Sequence, residues 1–173
     1  MTKELKHEII SWIKLLMVAF IIAILLRTFV FQIAIVDQVS MYPTLKPGDM
    51  LIVSRLSYKV GMPKRGDIAV LKDDNAQKLL VKRVMSLPGE SIELLGGKTY
   101  IDGIKLTKDW NTSENVDYPI FEVPMDTYFM MGDNRSHSRD SRSDTLGPVK
   151  SDLLVGKVIF RIWPLHKVGF IGK

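Results

Sequence analysis

Cysteine is absent from all 173 residues. That removes thiol nucleophiles, disulfides and thiolate metal sites together, and it fits either side of a bacterial membrane. Histidine is scarce: His7, His137 and His166 are too scattered to form a metal site, and no cofactor or metal is expected. Charge of one sign is in short supply as well. Twenty-four Lys and Arg against 19 Asp and Glu leave a net charge of +5, with no basic stripe interleaved with aromatics. This suits an anionic membrane surface and excludes nucleic acid as the expected partner. No internal repeat is present. The apolar fraction of 46% and charged fraction of 25% are those of a globular protein, long enough for one domain plus an anchor.

The apolar residues are unevenly spread. From Ile9 to Val36 they run almost unbroken, interrupted by Ser11, Lys14, Arg27, Thr28 and Gln32. The uncharged core, Leu15 to Leu26, is 12 residues, short of the roughly 20 that cross a bilayer. Lys14 and Arg27 can snorkel at its ends, and Ile9 to Ile13 with Trp12 extends it to spanning length. The expected organisation is a short N-terminus at 1–8, a transmembrane anchor at 9–28 and a β-rich domain at 29–173. Lys3, Lys6 and Lys14 precede or open the segment, whereas Arg27 alone follows before Lys46. The positive-inside rule then places the N-terminus in the cytoplasm and the domain outside, single-pass in the cell membrane. A cleaved secretory signal has the same basic start, but bulky Arg27-Thr28-Phe29-Val30-Phe31 offers no small-residue cleavage site.

Beyond the anchor, helical periodicity fades. Short apolar runs at Met50–Val53, Ile68–Leu71, Leu79–Met85, Ser91–Leu95, Thr99–Ile101, Thr127–Met131 and Leu154–Trp163 predict seven strands. Turn chemistry separates them, including Pro47-Gly48-Asp49, Arg65-Gly66-Asp67, Pro88-Gly89, Gly96-Gly97 and Asp102-Gly103. The stretch Leu94–Gly103 reads as two consecutive hairpin corners, and Thr107–Pro124, polar and aperiodic, as a loop or excursion. The fold expected is mainly β: an N-terminal transmembrane helix followed by an antiparallel β-barrel or sandwich.

Three stretches carry chemistry. Ser40 opens a turn before Pro43 close to the end of the anchor, where a serine serves either as a local backbone cap or as a nucleophile held at the membrane face. Lys82 lies between aliphatics. An edge strand, a snorkelling side chain and a base whose ammonium is disfavoured by burial all fit it. If Leu79–Met85 is a strand, Lys82 shares one face with Leu80 and Val84, and Arg83 the other with Val81 and Met85. Gly132 to Arg142 has no apolar residue; it is either a solvated loop or an ion-paired scaffold behind a site.

Together, Ser40-Met41-x-Pro43-Thr44-Leu45, Arg65-Gly66-Asp67-Ile68, Val81-Lys82-Arg83-Val84-x-x-x-Pro88-Gly89 and Gly132-Asp133-Asn134-Arg135-x-x-Ser138-x-Asp140-Ser141-Arg142 resemble the successive signature boxes of type I signal peptidases. They stand in the family's order behind an anchor, and the short domain is similar to Gram-positive members. The resemblance implies a membrane-bound serine endopeptidase with Ser40 as nucleophile and Lys82 as general base. It implies that Ser138 orients the lysine, and that Asp133 with Arg83 and Asp140 with Arg142 form supporting pairs. It implies an oxyanion hole built on the Ser40 backbone N–H. Many relatives add a serine hydroxyl two positions before the nucleophile; Gln38 stands there in this chain. The implied substrates are signal peptides of exported preproteins, cut after small residues at −1 and −3, with Val36, Met41, Leu45 and Val81 as candidate pocket walls. The implied partners are those preproteins, the lipid bilayer and the protein export machinery.

Other readings make different demands. A Ser-His-Asp hydrolase requires His137. A self-cleaving repressor with a related Ser-Lys domain requires a DNA-binding segment where this chain has its apolar run. A non-enzymatic, membrane-tethered β-domain that helps assemble surface structures requires none of the motifs. Arg65-Gly66-Asp67 is read as a turn rather than an adhesion site, and Asp73-Asp74-Asn75 lacks the remaining ligands of a calcium loop.

Overall fold

The computed structural model describes residues 3–73, 76–110 and 117–171. One helix, α1 (Lys3–Phe29), opens the chain. Within it, Leu5–Ile24 is long and apolar enough to cross a membrane, and none of that window is buried against the protein. An apolar helix with nothing packed on it needs an apolar surround from elsewhere. The helix begins earlier than the anchor expected at residue 9.

Twelve strands follow among the described residues. They are β1 (Phe31–Ile35), β2 (Met50–Ser54), β3 (Ile68–Asp73), β4 (Lys78–Ser86), β5 (Ser91–Leu95), β6 (Lys98–Ile101), β7 (Ile104–Lys105), β8 (Tyr118–Glu122), β9 (Thr127–Met131), β10 (Val149–Lys150), β11 (Leu154–Trp163) and β12 (Gly169–Phe170). A one-turn helix, α2 (Ser57–Val60), sits between β2 and β3. The larger sheet runs β1-β2-β11-β3-β4-β9-β10 with β12 added on β11; the smaller runs β7-β6-β5-β8. Every pairing is antiparallel. The mainly β expectation holds, and all seven expected strands are present.

Two differences have plain causes. β1 lies inside the apolar run that follows the helix, where Phe31-Gln32-Ile33-Ala34-Ile35 carries no turn signal to separate it. It pairs with β2 from Phe31 opposite Ser54 to Ile35 opposite Met50. The Thr107–Pro124 stretch is not all loop, because β8 returns to pair with β5; its residues 111–116 lie outside the description. The two hairpin corners are as read. Gly96 and Gly97, then Asp102 and Gly103, all take positive φ, which two-residue turns between twisted strands require.

β4 organises the core. Leu80 and Val84 pack with Ala69, Leu71 and Met130, while Met85 on the opposite face packs with Ile92, Leu94, Phe129 and Met131. The strand is therefore buried on both faces and lies between β3 and β9. A third cluster, with Val36, Met41, Leu45, Ile68 and Val70, takes Val81 at its margin.

Candidate active site

Ser40 sits in a 3₁₀ turn, Val39–Met41, at 5% exposure. The turn packs against β4. It is pinned from the other side by the segment after β9: Asn134 N–H donates to the Ser40 carbonyl at 3.0 Å and Asn134 Nδ2 to that of Val39 at 3.2 Å. Gly132 makes this approach feasible. A Cβ there would collide with both the Ser138 hydroxyl and the Ser40 carbonyl oxygen, so only glycine lets the two segments close on each other.

Lys82 is 1% exposed. It is neither on an edge strand nor snorkelling to water, which separates two of its three sequence readings from the structure. Its Nζ donates to Ser138 Oγ at 3.1 Å. Burial pushes the ammonium down from 10.5 to about 8; Asp140 and Asp133 oppose that and Arg139 and Arg142 reinforce it. A lysine in this state deprotonates near the pH at which a base is useful.

Both expected arginine–carboxylate pairs are present as ion pairs. Arg83 meets Asp133 through two bonds, Nε to Oδ1 at 2.8 Å and Nη2 to Oδ2 at 2.6 Å, with both side chains almost wholly buried. Bidentate geometry of this kind is what a planar guanidinium gives a carboxylate. Arg142 grips Asp140 at 2.8 and 2.9 Å. Burial alone would raise the Asp140 carboxyl, but bonds from Arg142, with those from Ser138 and the Gly132 N–H, outweigh it and hold the carboxyl below its usual range. Ser138 is thus held between Lys82 and Asp140. Among the described residues Arg139 pairs with Asp73; Asp74 and Asn75 lie outside the description.

The expected pocket walls divide. A cleft of about 610 Å³ is lined by Val36, Gln38, Ser40 and Met41 on one side and Leu80 and Val81 on the other. Leu45 sits behind these in the core, fully buried. Gln38 is exposed, and its side chain makes no cap bond to the turn it precedes. His137 shares a 3.0 Å contact with the hydroxyl of its neighbour Ser136 on the surface. Arg65-Gly66-Asp67 is a turn, its Asp67 N–H bonded to the Lys64 carbonyl.

The sequence did not single out several residues at this site. Thr44 Oγ1 donates to Asp133 at 2.5 Å, and Arg135 pairs with Asp109 at 2.9 Å. Trp110 lies 4.6 Å below the Arg83 guanidinium. These are long-range contacts for which no local pattern stands in the chain, although Thr44 falls within the first motif and Arg135 within the last.

A family model described as "Signal peptidase, peptidase S26" matches residues 9–163. The chain belongs to that family. Its members are serine peptidases, and this chain is accordingly a hydrolase of the signal peptidase I kind. It is 33% identical to "Signal peptidase I T" of Bacillus subtilis (strain 168), an alignment covering 96% of this chain and 91% of that one. It is 35% identical to "Signal peptidase I P" of Bacillus subtilis subsp. natto, covering 96% and 95%. A solved signal peptidase I from Enterococcus faecalis V583 is 33% identical, with a TM-score of 0.47 over 55% of this chain and 95% of that one.

Proposed function

We propose that this signal peptidase removes N-terminal signal peptides from exported preproteins by a Ser40–Lys82 dyad. The observation that carries the reading is the buried Lys82 amine, hydrogen-bonded to Ser138 beside the turn that holds Ser40, with its pKa near 8. Ser40 Oγ attacks the scissile carbonyl and its proton passes to Lys82 Nζ. The tetrahedral intermediate collapses, the C–N bond breaks and Lys82 returns the proton to the leaving amine. Water, deprotonated by the same amine, then releases the acyl group from Ser40. Ser138 fixes the lysine, and the Arg83–Asp133 and Arg142–Asp140 pairs hold the strand and loop that carry the two. The Ser40 backbone N–H and the Gln38 amide donate to the developing oxyanion.

Substrate enters as an extended strand. β9 pairs with β4 from Arg83 onward, so Lys78–Val81 has β3 on one edge and the cleft on the other. β1 ends its sheet and forms the facing wall. A peptide between them takes main-chain hydrogen bonds from both, while Val36, Met41 and Val81, backed by Leu45, admit only small residues at −1 and −3.

Anchoring follows from α1, unburied along its apolar length, and from the exposed Phe31, Ile33 and Ile35 just after it. Lys3, Lys6 and Lys14, clustered at the N-terminal end of the helix with Arg27 alone at the other, put the N-terminus in the cytoplasm and the catalytic domain outside, where the export machinery delivers preproteins. The test is incubation of the full chain in detergent with a preprotein, then N-terminal sequencing of the product. A new N-terminus after a small residue supports the reading; an intact preprotein refutes it.

A further inference from the structure

Two buried arginines stand next to Lys82 and its partner Ser138 in the chain: Arg83, immediately after Lys82, and Arg135, three residues before Ser138. Both are gripped by consecutive residues of the excursion that follows β7. Asp109 accepts from Arg135 Nη2 at 2.9 Å, and that arginine side chain is wholly buried. Trp110 presents its ring to Arg83, 4.6 Å from the guanidinium carbon to the ring centre. We infer that Asp109 and Trp110 are positioning residues, a clamp by which the smaller sheet's excursion holds the lysine strand and the Ser138 loop in register.

Each half of the clamp is fixed and directed. Asp109 is itself held from β6, where Thr99 Oγ1 donates to its second oxygen at 2.7 Å. Arg135 passes that constraint inward: its Nε donates to the Gly132 carbonyl at 2.9 Å, and its own carbonyl accepts from Arg142 at 2.7 Å. Gly132 is the residue wedged against Ser40 and Ser138, so Asp109 is two bonds from the point where the site's segments meet. Trp110 acts on the other face. Its ring lies against Gly66 so closely that a Cβ there would overlap it, and the Gly66 carbonyl accepts from Arg83 Nη1 at 2.8 Å. Trp110 and Arg83 also line one small polar cleft, with Thr44 and Lys108. The ring covers one face of the Arg83 guanidinium, whose pair with Asp133 is almost wholly buried and would weaken in higher dielectric. Neither clamp residue lines the cleft proposed for the peptide, which separates an effect on the chemical step from one on binding.

The inference rests on the Ser40–Lys82 reading, and Ser40→Ala serves as the control for that reading. kcat and KM would be measured on one preprotein for the full chain and for Trp110→Phe, Trp110→Leu and Asp109→Asn. The expected result is a kcat lower by roughly ten- to a hundredfold in Trp110→Leu and Asp109→Asn, the cost of small misplacement at a site. KM should stay within about twofold. Trp110→Phe, which keeps an aromatic face for the guanidinium, should retain most of the wild-type kcat. Asp109→Asn keeps shape and removes charge, so it reads the clamp even if Trp110→Leu fails to fold. Wild-type kcat in folded Asp109→Asn, a raised KM with kcat unchanged, or equal losses in Trp110→Phe and Trp110→Leu would overturn the clamp. Turnover by Ser40→Ala would instead overturn the dyad beneath it.

Discussion

The Lys82 amine reaches the Ser138 hydroxyl over 3.1 Å, joining the middle of a buried strand to a loop fixed by two arginine–carboxylate pairs. Nothing about that bond is compatible with a lysine kept for solubility. It places the amine where its charge is costly.

That cost gives a stability prediction. The folded-state pKa of about 8 lies below the usual 10.5, so the unfolded chain binds more protons between those values and stability rises with pH across that window. The destabilisation is fully present below about pH 8 and amounts to about 3 kcal/mol. Lys82→Met should therefore be inactive yet more stable at pH 7, by up to that amount, with the difference shrinking toward pH 10.5. Denaturant unfolding of both proteins at the two pH values checks this. A variant no more stable than wild type at pH 7 contradicts the burial account.

The same shift sets the activity profile. Turnover should climb through an acidic limb with an apparent pKa near 8, as the amine becomes free to accept the Ser40 proton. His137→Ala should leave this limb in place, because that ring engages Ser136 on the surface. A limb near 6.5 that vanishes in the variant would give the base role to histidine.

The Arg83–Asp133 pair predicts an asymmetry. Asp133→Asn leaves a buried guanidinium without its counter-charge and should cost about 3–5 kcal/mol, whereas Arg83→Met with Asp133→Leu together should cost much less. Thermal or denaturant unfolding of the two variants distinguishes them. Equal losses would mean that packing, not charge compensation, dominates at this position.

Gln38 offers a test of the oxyanion hole. Gln38 is among the residues lining the cleft, and its side chain is not spent on capping the Ser40 turn. Gln38→Ala should lower kcat by roughly 10²–10³ with KM little changed, and Gln38→Ser should recover part of the rate. Steady-state kinetics on one preprotein decides it, and two silent substitutions would assign the hole to backbone N–H groups alone.

The strands most legible in the sequence were those with alternation and a glycine corner at each end. Gly96-Gly97 and Asp102-Gly103 mark the ends of β5 and β6 because their turns demand positive φ. β1 was hidden, since its apolar residues continue the helix's own run and its partner β2 lies beyond an intervening turn. β8 was hidden in a polar stretch because Tyr118 and Phe121 become apolar anchors only when Phe129 stands opposite them. At the site, the order of four motifs pointed to Ser40, Lys82 and Ser138 through family resemblance. Residue pattern alone leaves Lys82 undecided between an edge strand, a snorkelling side chain and a buried base, since burial on β4 is set by β3 and β9 together. Asp109 and Trp110 reach the site across the fold, and a contact of that range leaves no spacing to read.

The central claim is that Ser40 and Lys82 act as one unit. Ser40→Ala, Lys82→Ala and the double variant would be assayed against one preprotein, with product N-termini sequenced. Each single variant should fall to background while staying folded, and the double variant should be no worse than either, because each member is without effect once the other is gone. Substantial cleavage at the same site by either single variant would contradict the account.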